Sequence, residues 1–249
     1  MPGTLAGKTA LVTGASSGFG AHFARCIARE GAHVIVAARR EQQLDELAGE
    51  IAAAGHSVEA VALDVTRADS IAALEPRLSG LDILINNAGI ARDGLALDVT
   101  ESDWDAVVDT NLKGCFFTAQ AAARAMKAHG RGGSIVNIAS VLGLRQIASV
   151  LPYSVSKAGV IQMTRVLALE WARYRIRVNA IAPGYFNTDI NSFLWETAGG
   201  QAMIRRVPQR RLGVPTDLDG PLLLLASDAS AHMTGAVLAV DGGHLVSTL

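Results

Sequence analysis

Short apolar segments alternate with longer amphipathic segments along the whole chain. Seven short segments are rich in apolar residues, and most of them are apolar at consecutive positions, as in strands buried on both faces of a parallel sheet: residues 8–14, 33–39, 58–64, 81–87, 133–140, 176–182 and 236–242. Between them lie stretches with helical spacing: residues 18–30, 41–54, 67–79, 103–129, 153–174 and 215–227. This alternation predicts right-handed βαβ crossovers and an α/β fold, with a doubly wound sheet of about seven parallel strands and helices on both faces.

One long connection interrupts the alternation, between the sixth and seventh predicted strands. No linker, repeat or low-complexity tract divides the chain, so we predict a single domain over residues 1–249. The connection has about thirty residues, and connections of that length are usually functional lids or disordered segments. Its apolar Phe193, Leu194 and Trp195 favour a substrate lid at about 185–213, with a surface helix packed on its own domain as the alternative.

Composition and charge exclude several classes of protein. Half of the residues are hydrophobic and the formal net charge is −1, which indicates a compact protein without a nucleic-acid or membrane-surface patch. No signal pattern or run of roughly 18 apolar residues occurs, so we expect a cytoplasmic protein without membrane contact. Cys26 and Cys115 lie in apolar helical patterns and are expected to be buried and reduced. No residue cluster has metal-ligand spacing, so no metal is expected.

The first predicted strand runs into the glycine-rich segment TGASSGFG, residues 13–20. Gly14, Gly18 and Gly20 would allow a tight turn and a close approach of the backbone to a ligand. The following helix would offer free N–H groups to a pyrophosphate. The segment therefore predicts a dinucleotide site.

Residues 153–157 read YSVSK, which places a tyrosine four residues before a lysine. In a helix these side chains project from one face, and Pro152 suits the first helical turn. A phenol can donate a proton to a developing alkoxide, and a nearby ammonium stabilises the phenolate. An isolated Y-x-x-x-K is most often a solvated helix face, so the rest of the chain decides the interpretation.

Three motifs occur in order along the chain: TGxxxGxG at 13–20, NNAG at 86–89 and YxxxK at 153–157. With them the sequence resembles the short-chain dehydrogenase/reductase family over nearly its whole length. The resemblance implies a Rossmann fold and an NAD(P)-dependent oxidoreductase. Phe19 departs from the pattern, because the family usually has a smaller aliphatic residue there.

The resemblance also implies a catalytic set of Asn111, Ser140, Tyr153 and Lys157. In this set Tyr153 is the general acid/base, and Lys157 stabilises its phenolate and binds the nicotinamide ribose. Ser140 holds the substrate oxygen, and Asn111 organises a water chain from Lys157 to solvent.

The residues expected to bind the cofactor come from the glycine turn, from the ends of the predicted strands and from the PGYFNT segment at 183–188. Within this set, Asp64 is expected to meet the adenine, and PGYFNT the nicotinamide side. The set is Gly14, Ser16, Ser17, Gly18, Phe19, Gly20, Arg39, Arg40, Asp64, Val65, Asn87, Ala88, Gly89, Tyr153, Lys157, Pro183, Gly184, Phe186 and Thr188.

The end of the second predicted strand indicates which nicotinamide cofactor is preferred. Ala38, Arg39 and Arg40 stand there without a carboxylate. An acid would bind the ribose 2′-OH, whereas guanidinium groups accommodate a 2′-phosphate. We therefore predict a preference for NADP(H), led by Arg39, with NAD(H) as a second cofactor. Ser17 stands where many NADP-preferring relatives have a second basic residue, so the selectivity is expected to be moderate.

The predicted substrate wall is mostly apolar and consists of Ser140, Val141, Leu142, Ile147, Val150, Tyr185, Phe193, Leu194 and Trp195. It predicts a moderately hydrophobic ketone or secondary alcohol as the small-molecule substrate, rather than a sugar phosphate.

Two alternatives stay open. One is a 3-oxoacyl-[acyl-carrier-protein] reductase, in which Arg131, Arg173 and Arg175 would meet an acidic carrier near the active-site entrance. The other is an NADP(H)-binding sensor without turnover, which the filled catalytic positions argue against. By family resemblance we also expect a homotetramer, or a homodimer, assembled through the helices around 103–129 and 153–174 together with the C-terminal segment.

Overall fold

A computed structural model describes residues 3–187 and 195–247. Within these ranges the strands form one parallel sheet in the order β3-β2-β1-β4-β5-β6-β7. The strands are β1 Thr9–Thr13, β2 His33–Ala38, β3 Val58–Ala62, β4 Ile83–Asn86, β5 Gly133–Ile138, β6 Ile176–Pro183 and β7 Val237–Val240. The predicted doubly wound α/β fold is confirmed.

The described helices cover both faces of the sheet and follow the predicted segments except at two places. They are α1 Gly18–Arg29, α2 Glu41–Ala53, α3 Ala68–Leu74, α4 Glu101–Val108, α5 Cys115–His129, α6 Leu151–Trp171, α7 Ala198–Arg206 and α8 Asp219–Ala226. The first difference is α7, which lies inside the predicted lid. The second is a π-helical turn at Asp109–Gly114, which divides the single helix predicted for 103–129. Such π-turns are frequent at functional sites, and this one contains Asn111.

Two apolar cores enclose the sheet, one on each face. Along β1, Val12 belongs to the core that contains Phe23 of α1, whereas its neighbour Leu11 belongs to the core that contains Ala122 of α5. Successive strand residues point to opposite faces, so the side chains of a strand buried on both sides are mostly apolar. Each such side chain, fully buried, contributes about 1.5–3 kcal/mol to stability.

The strand order reverses between β1 and β4, which are neighbours in the sheet. Ligands of doubly wound sheets bind in the crevice beyond the carboxyl ends of the strands at such a reversal. Gly14 follows β1 there and Asn87 follows β4. The topology thus places the glycine turn and the NNAG motif at one crevice.

Candidate active site

The glycine turn after β1 has the backbone conformation that its glycines permit. Gly14 has φ +64° and Gly18 has φ +54°, both in the left-handed region. A Cβ at Gly14 would lie 2.8 Å from the Cα of Ala88. At Gly20 a Cβ would lie 2.2 Å from the carbonyl oxygen of Gly14, so this glycine lets α1 pack on the turn.

The NNAG motif is tied to the glycine turn by hydrogen bonds. The hydroxyl of Thr13 accepts from the backbone N–H groups of Asn87 and Ala88, each at 3.0 Å. The Asn87 amide donates to the carbonyl oxygens of Thr13 at 3.0 Å and Gly14 at 3.3 Å. The sequence analysis did not assign this bracing role to Thr13, although it stands first in the TGxxxGxG motif.

A cleft of about 680 Å³ opens at this crevice and gathers most of the predicted site. Ser140 lines it. Gly20 and Phe186 are absent from its lining, and Thr188 lies outside the described residues. The predicted cofactor residues that line the cleft are Gly14, Ser16, Ser17, Gly18, Phe19, Arg39, Arg40, Asp64, Val65, Asn87, Ala88, Gly89, Tyr153, Lys157, Pro183 and Gly184.

Helix α6 carries Tyr153 and Lys157 into the cleft from one face. It begins at Leu151, with Pro152 in its first turn. The Lys157 Nζ lies 5.6 Å from the centroid of the Tyr153 ring and donates to the carbonyl oxygen of Ile138 at 2.8 Å. Lys157 is 5% exposed. The helix thus presents a buried ammonium and a phenol side by side at the cleft.

Asn111 does not line the cleft. Its side-chain amide is hydrogen-bonded to the NNAG loop and to α6. Its Oδ1 accepts from the N–H of Ile90 at 2.8 Å, and its Nδ2 donates to the Ile90 carbonyl at 2.8 Å and to the Ser156 Oγ at 3.1 Å. A Cβ at Gly89 would lie 3.2 Å from the Asn111 Oδ1 and 3.5 Å from the Lys157 Nζ. The amide therefore braces the NNAG loop against α6.

Ser140 begins the short turn after β5. Its Oγ accepts from the N–H of Leu142 at 3.1 Å, which leaves the hydroxyl hydrogen available to a ligand. A Cβ at Gly143 would lie 2.7 Å from the carbonyl carbon of Lys157. This close approach holds the Ser140 turn directly on α6.

The end of β2 forms the basic rim of the cleft. The Arg40 Nη2 donates to the hydroxyls of Ser16 at 2.9 Å and Ser17 at 2.6 Å. Arg39 lines the same cleft beside Asp64. Burial opposes ionisation of that carboxyl, yet hydrogen bonds from Thr66 and the charge of Arg39 hold the Asp64 pKa below its usual range.

Phe186 was expected to bind the cofactor, but it packs in the core. It is 4% exposed, and its ring meets Phe19 edge-on at a centroid distance of 5.3 Å. Phe19 also stacks on Phe23 at 5.8 Å. The large residue at position 19 is therefore accommodated by aromatic packing while it still borders the cleft.

The predicted substrate residues are divided between the core and the surface beside the cleft. Val141 is buried and Ile147 is exposed, and Val150 pairs with Gly94 in an isolated bridge. Leu142 is half-buried beside Val141, while Phe193 and Leu194 lie outside the described residues.

The ring centroid of Tyr185 lies 5.6 Å from that of Trp195 and 5.0 Å from that of His244. His244 belongs to no motif of the sequence. Only the return of the chain after β7 brings it beside Tyr185.

The basic residues proposed to meet an acyl carrier are misplaced for that role. Arg131 precedes β5 and Arg175 precedes β6, at the edge of the sheet opposite the cleft. Arg131 donates to the Asp82 carboxylate at 3.1 Å, and Arg175 donates to the carbonyl oxygen of Gly130. Arg173 lies two residues before Arg175, so the set does not border the active-site entrance of this chain.

The two thiols are buried, as expected. Burial raises the pKa of Cys115 to about 12, and burial together with the Asp219 carboxylate raises that of Cys26 to about 12. Neither thiol is a ready nucleophile. Over 3–187 and 195–247, no group of three His, Cys, Asp or Glu residues could hold a metal ion, and no helix is long and apolar enough to cross a membrane.

A family profile described as short chain dehydrogenase matches residues 8–199. The chain belongs to the short-chain dehydrogenase/reductase family. This short-chain dehydrogenase/reductase is 41% identical to an L-rhamnose 1-dehydrogenase (NAD(P)(+)) of Azotobacter vinelandii, over 96% of this chain and 97% of the relative. It is also 41% identical to a 3-oxoacyl-[acyl-carrier-protein] reductase of Thermotoga maritima, over 97% and 99% of the two chains.

Among solved structures, a gluconate 5-dehydrogenase from Burkholderia cenocepacia in complex with NADP and tartrate is similar, with a TM-score of 0.93 and 36% identity. The alignment covers 98% of this chain and 97% of that one.

Proposed function

We propose that this short-chain dehydrogenase/reductase interconverts a ketone and a secondary alcohol with NADP(H) as the preferred cofactor and Tyr153 as the general acid/base. The observation that carries the proposal is the placement of Tyr153, Lys157 and Ser140 around one cleft whose far rim holds Arg39 and Arg40. Dehydrogenase relatives and the NADP complex of the Burkholderia cenocepacia enzyme support it.

The residues at the cleft fit a dinucleotide. The left-handed turn at Gly14 brings backbone to the crevice, and α1 begins at Gly18 with its first N–H groups toward the turn. Arg40, already held by the hydroxyls of Ser16 and Ser17, presents a guanidinium where a 2′-phosphate would be recognised. Bound NADP(H) would donate or accept the hydride.

In this mechanism the protein holds the substrate and moves one proton. The Ser140 hydroxyl orients the substrate oxygen, and Tyr153 donates a proton to that oxygen as it gains charge. Lys157 stabilises the resulting phenolate, with its Nζ anchored by the carbonyl of Ile138. Asn111 keeps α6 in register with the NNAG loop.

Replacing Arg40 by alanine is expected to raise the KM for NADPH by about tenfold and to leave the KM for NADH nearly unchanged. A charge-assisted bond to phosphate contributes roughly 1.5–3 kcal/mol, and NADH lacks that phosphate. Arg39→Ala, at the residue that the sequence predicts to lead this preference, should act in the same direction. Steady-state kinetics with both cofactors measure the effect, and Arg77→Ala, an exposed arginine paired with Glu59, is the matched control. Equal changes in the KM values for NADPH and NADH would show that neither arginine binds the 2′-phosphate.

The reaction itself is tested by the loss of NADPH and NADH absorbance against aliphatic, aryl and cyclic ketones, sugar-derived ketones and one 3-oxoacyl thioester. Faster turnover with NADPH is the expected result. Turnover confined to the thioester on an acyl carrier would favour the carrier-protein reductase. Tight cofactor binding with no turnover of any ketone would favour the sensor.

A moderately hydrophobic substrate remains one proposal for the substrate class. The exposed apolar side chains of Leu144, Ile147 and Leu151 near the Ser140 turn support it. The names of the relatives point instead to polyhydroxylated substrates, and the ketone panel separates the two classes.

We further propose a single cytoplasmic domain over residues 1–249, with a lid at about 185–213, that assembles as a homotetramer or homodimer. Phe117 of α5 and Val166 and Leu169 of α6 are apolar and exposed, as in a helix face that a second copy would cover. Light scattering coupled to size exclusion measures the assembly, and a monomer at micromolar concentration would contradict it.

A further inference from the structure

A second group of polar side chains includes two residues that lie close, along the chain, to residues that line the catalytic cleft. We call it the Arg145 cluster, and it consists of Arg145, Tyr185, Arg206 and His244. Tyr185 directly follows Gly184, which lines the cleft, and Arg145 belongs to the turn that follows Ser140. The chain therefore connects Tyr185 and Arg145 closely to Gly184 and Ser140, which line the cleft.

His244 is buried without a full set of hydrogen bonds. The residue is 5% exposed, and its Nδ1 has no hydrogen-bond partner in the described part of the chain. Its turn is rigidly built, because the Asp241 carboxylate accepts from the N–H groups of Gly243 at 2.9 Å and Leu245 at 2.7 Å. Leaving a buried polar atom unpaired is unfavourable, because the atom has lost its hydrogen bonds to water without replacing them. A ligand atom at this position would supply the missing partner.

Arg145 is held at one nitrogen and free at the others. Its Nη1 donates to the carbonyl oxygen of His244 and to the Ser247 hydroxyl, the latter at 2.9 Å. Its Nε and Nη2 make no hydrogen bond among residues 3–187 and 195–247. The side chain is half-buried, so its orientation is set before any ligand arrives. Free N–H groups of a fixed guanidinium fork match a carboxylate.

The cluster combines the positive charges of two arginine side chains with the uncharged side chains of Tyr185 and His244. Burial raises the pKa of Tyr185, against the opposing charges of Arg145 and Arg206. Burial, Arg145 and Arg206 lower the pKa of His244, against the opposing charge of Asp241. The phenol and the imidazole are thus neutral near neutral pH, and the facing carboxylate of Asp241 is already taken up by two backbone N–H groups. Such a site favours an anion.

We propose that the Arg145 cluster is a carboxylate-binding subsite, and that the substrate therefore carries a carboxylate away from its reacting carbon. The Arg145 guanidinium binds the carboxylate, with the His244 imidazole and the Tyr185 hydroxyl as neutral donors beside it. The proposal rests on the proposed function and adds the chemical class of the substrate.

The test compares D-gluconate with D-sorbitol, which differ only in a carboxylate against a hydroxymethyl group. Isothermal titration calorimetry measures their binding to the wild-type protein loaded with NADPH, in which neither alcohol can be oxidised. We expect D-gluconate to bind at least about tenfold more tightly, as one charge-assisted contact provides. Equal affinities, or no binding of either compound, would overturn the proposal.

Variants of the arginines distinguish carboxylate binding by Arg145 from a purely structural role of that residue. Arg145→Gln is expected to remove the preference for D-gluconate, while Arg145→Lys retains part of it. Arg206 makes no hydrogen bond or ion pair among the described residues, so Arg206→Gln weakens D-gluconate binding without disturbing the turn. Arg205→Gln, on the same helix, is the matched control. One set of results would refute the subsite and make Arg145 a structural residue. In that set, Arg206→Gln and Arg205→Gln both leave D-gluconate binding unchanged, and Arg145→Gln also weakens NADPH binding.

His244→Phe keeps a ring against Tyr185 and removes the Nδ1. We expect it to weaken the binding of D-gluconate several-fold and to leave NADPH binding unchanged. An unchanged affinity for D-gluconate would remove His244 from the subsite.

The failure of this proposal and that of the proposed function give different results. Reduction of uncharged ketones by NADPH, together with equal binding of D-gluconate and D-sorbitol, would refute the subsite and retain the oxidoreductase. Preferential binding of D-gluconate without turnover of any ketone, including the keto acid 5-keto-D-gluconate, would refute the oxidoreductase and retain an anion site.

Discussion

Replacing Tyr153 by phenylalanine is expected to lower kcat by about a thousandfold and to leave the affinity for NADPH nearly unchanged. The substitution removes one oxygen atom from a half-buried ring on α6 and preserves the ring itself. Without the phenol the developing alkoxide has no positioned proton donor, and a general acid/base contributes typically 10²–10⁴-fold to the rate. Ketone reduction under saturating NADPH measures kcat, and the quenching of protein fluorescence measures cofactor binding.

Tyr174→Phe is the matched control for this experiment. Tyr174 follows α6 at its far end, where the Lys127 Nζ lies 4.6 Å from its ring centroid, well removed from the cleft lining. Its replacement should leave both kcat and cofactor binding at wild-type values. If Tyr153→Phe retained near-wild-type turnover, Tyr153 would not be the proton donor and the mechanism would have to be abandoned.

Replacing Lys157 by methionine is expected to lower kcat by about a hundredfold or more and also to weaken NADPH binding. Lys157 is buried, so the charge it places near Tyr153 is poorly screened by solvent. Removing one preorganised electrostatic group at a reacting centre costs about 10²–10³ in kcat. The carbonyl of Ile138 would also lose its donor, which lowers the free energy of unfolding by about 1–3 kcal/mol. Kinetics and chemical denaturation measure the two effects.

Lys113→Met controls for the loss of a lysine as such. Lys113 is exposed in the π-turn and pairs with Asp109 at 3.2 Å, an interaction typical of solvated ion pairs. Its removal should change neither kcat nor NADPH binding measurably. A fall of kcat in Lys157→Met that is matched in Lys113→Met would mean that overall charge, and not the position beside Tyr153, is responsible.

The π-turn and the NNAG loop explain how residues from distant elements meet at the cleft. Asn111 needs the π-turn to reach both Ile90 and Ser156, and Gly89 needs the absence of a Cβ to pass close to Asn111 and Lys157. The position of α6 is therefore coupled to the loop after β4. A Cβ at Gly89 would lie 3.2 Å from the Asn111 Oδ1, so a substitution there would press on the Asn111 amide.

The order of elements and the catalytic spacing were determined by the sequence alone. Seven segments rich in apolar residues predicted seven strands, because a strand buried on both faces is apolar at most positions. The interval of four between Tyr153 and Lys157 placed both on one helix face because helical periodicity is local. Both features depend on neighbours in the chain, and a sequence displays such neighbours directly.

The tertiary structure decided which distant residues meet. It packed Phe186 against Phe19, put Arg131 on the edge opposite the cleft and brought His244 to Arg145. These outcomes depend on how strands are ordered in the sheet and on how loops return to it. Periodicity along the chain carries no information about contacts between residues far apart in sequence, because those contacts are selected by packing and by hydrogen-bond satisfaction in the folded state.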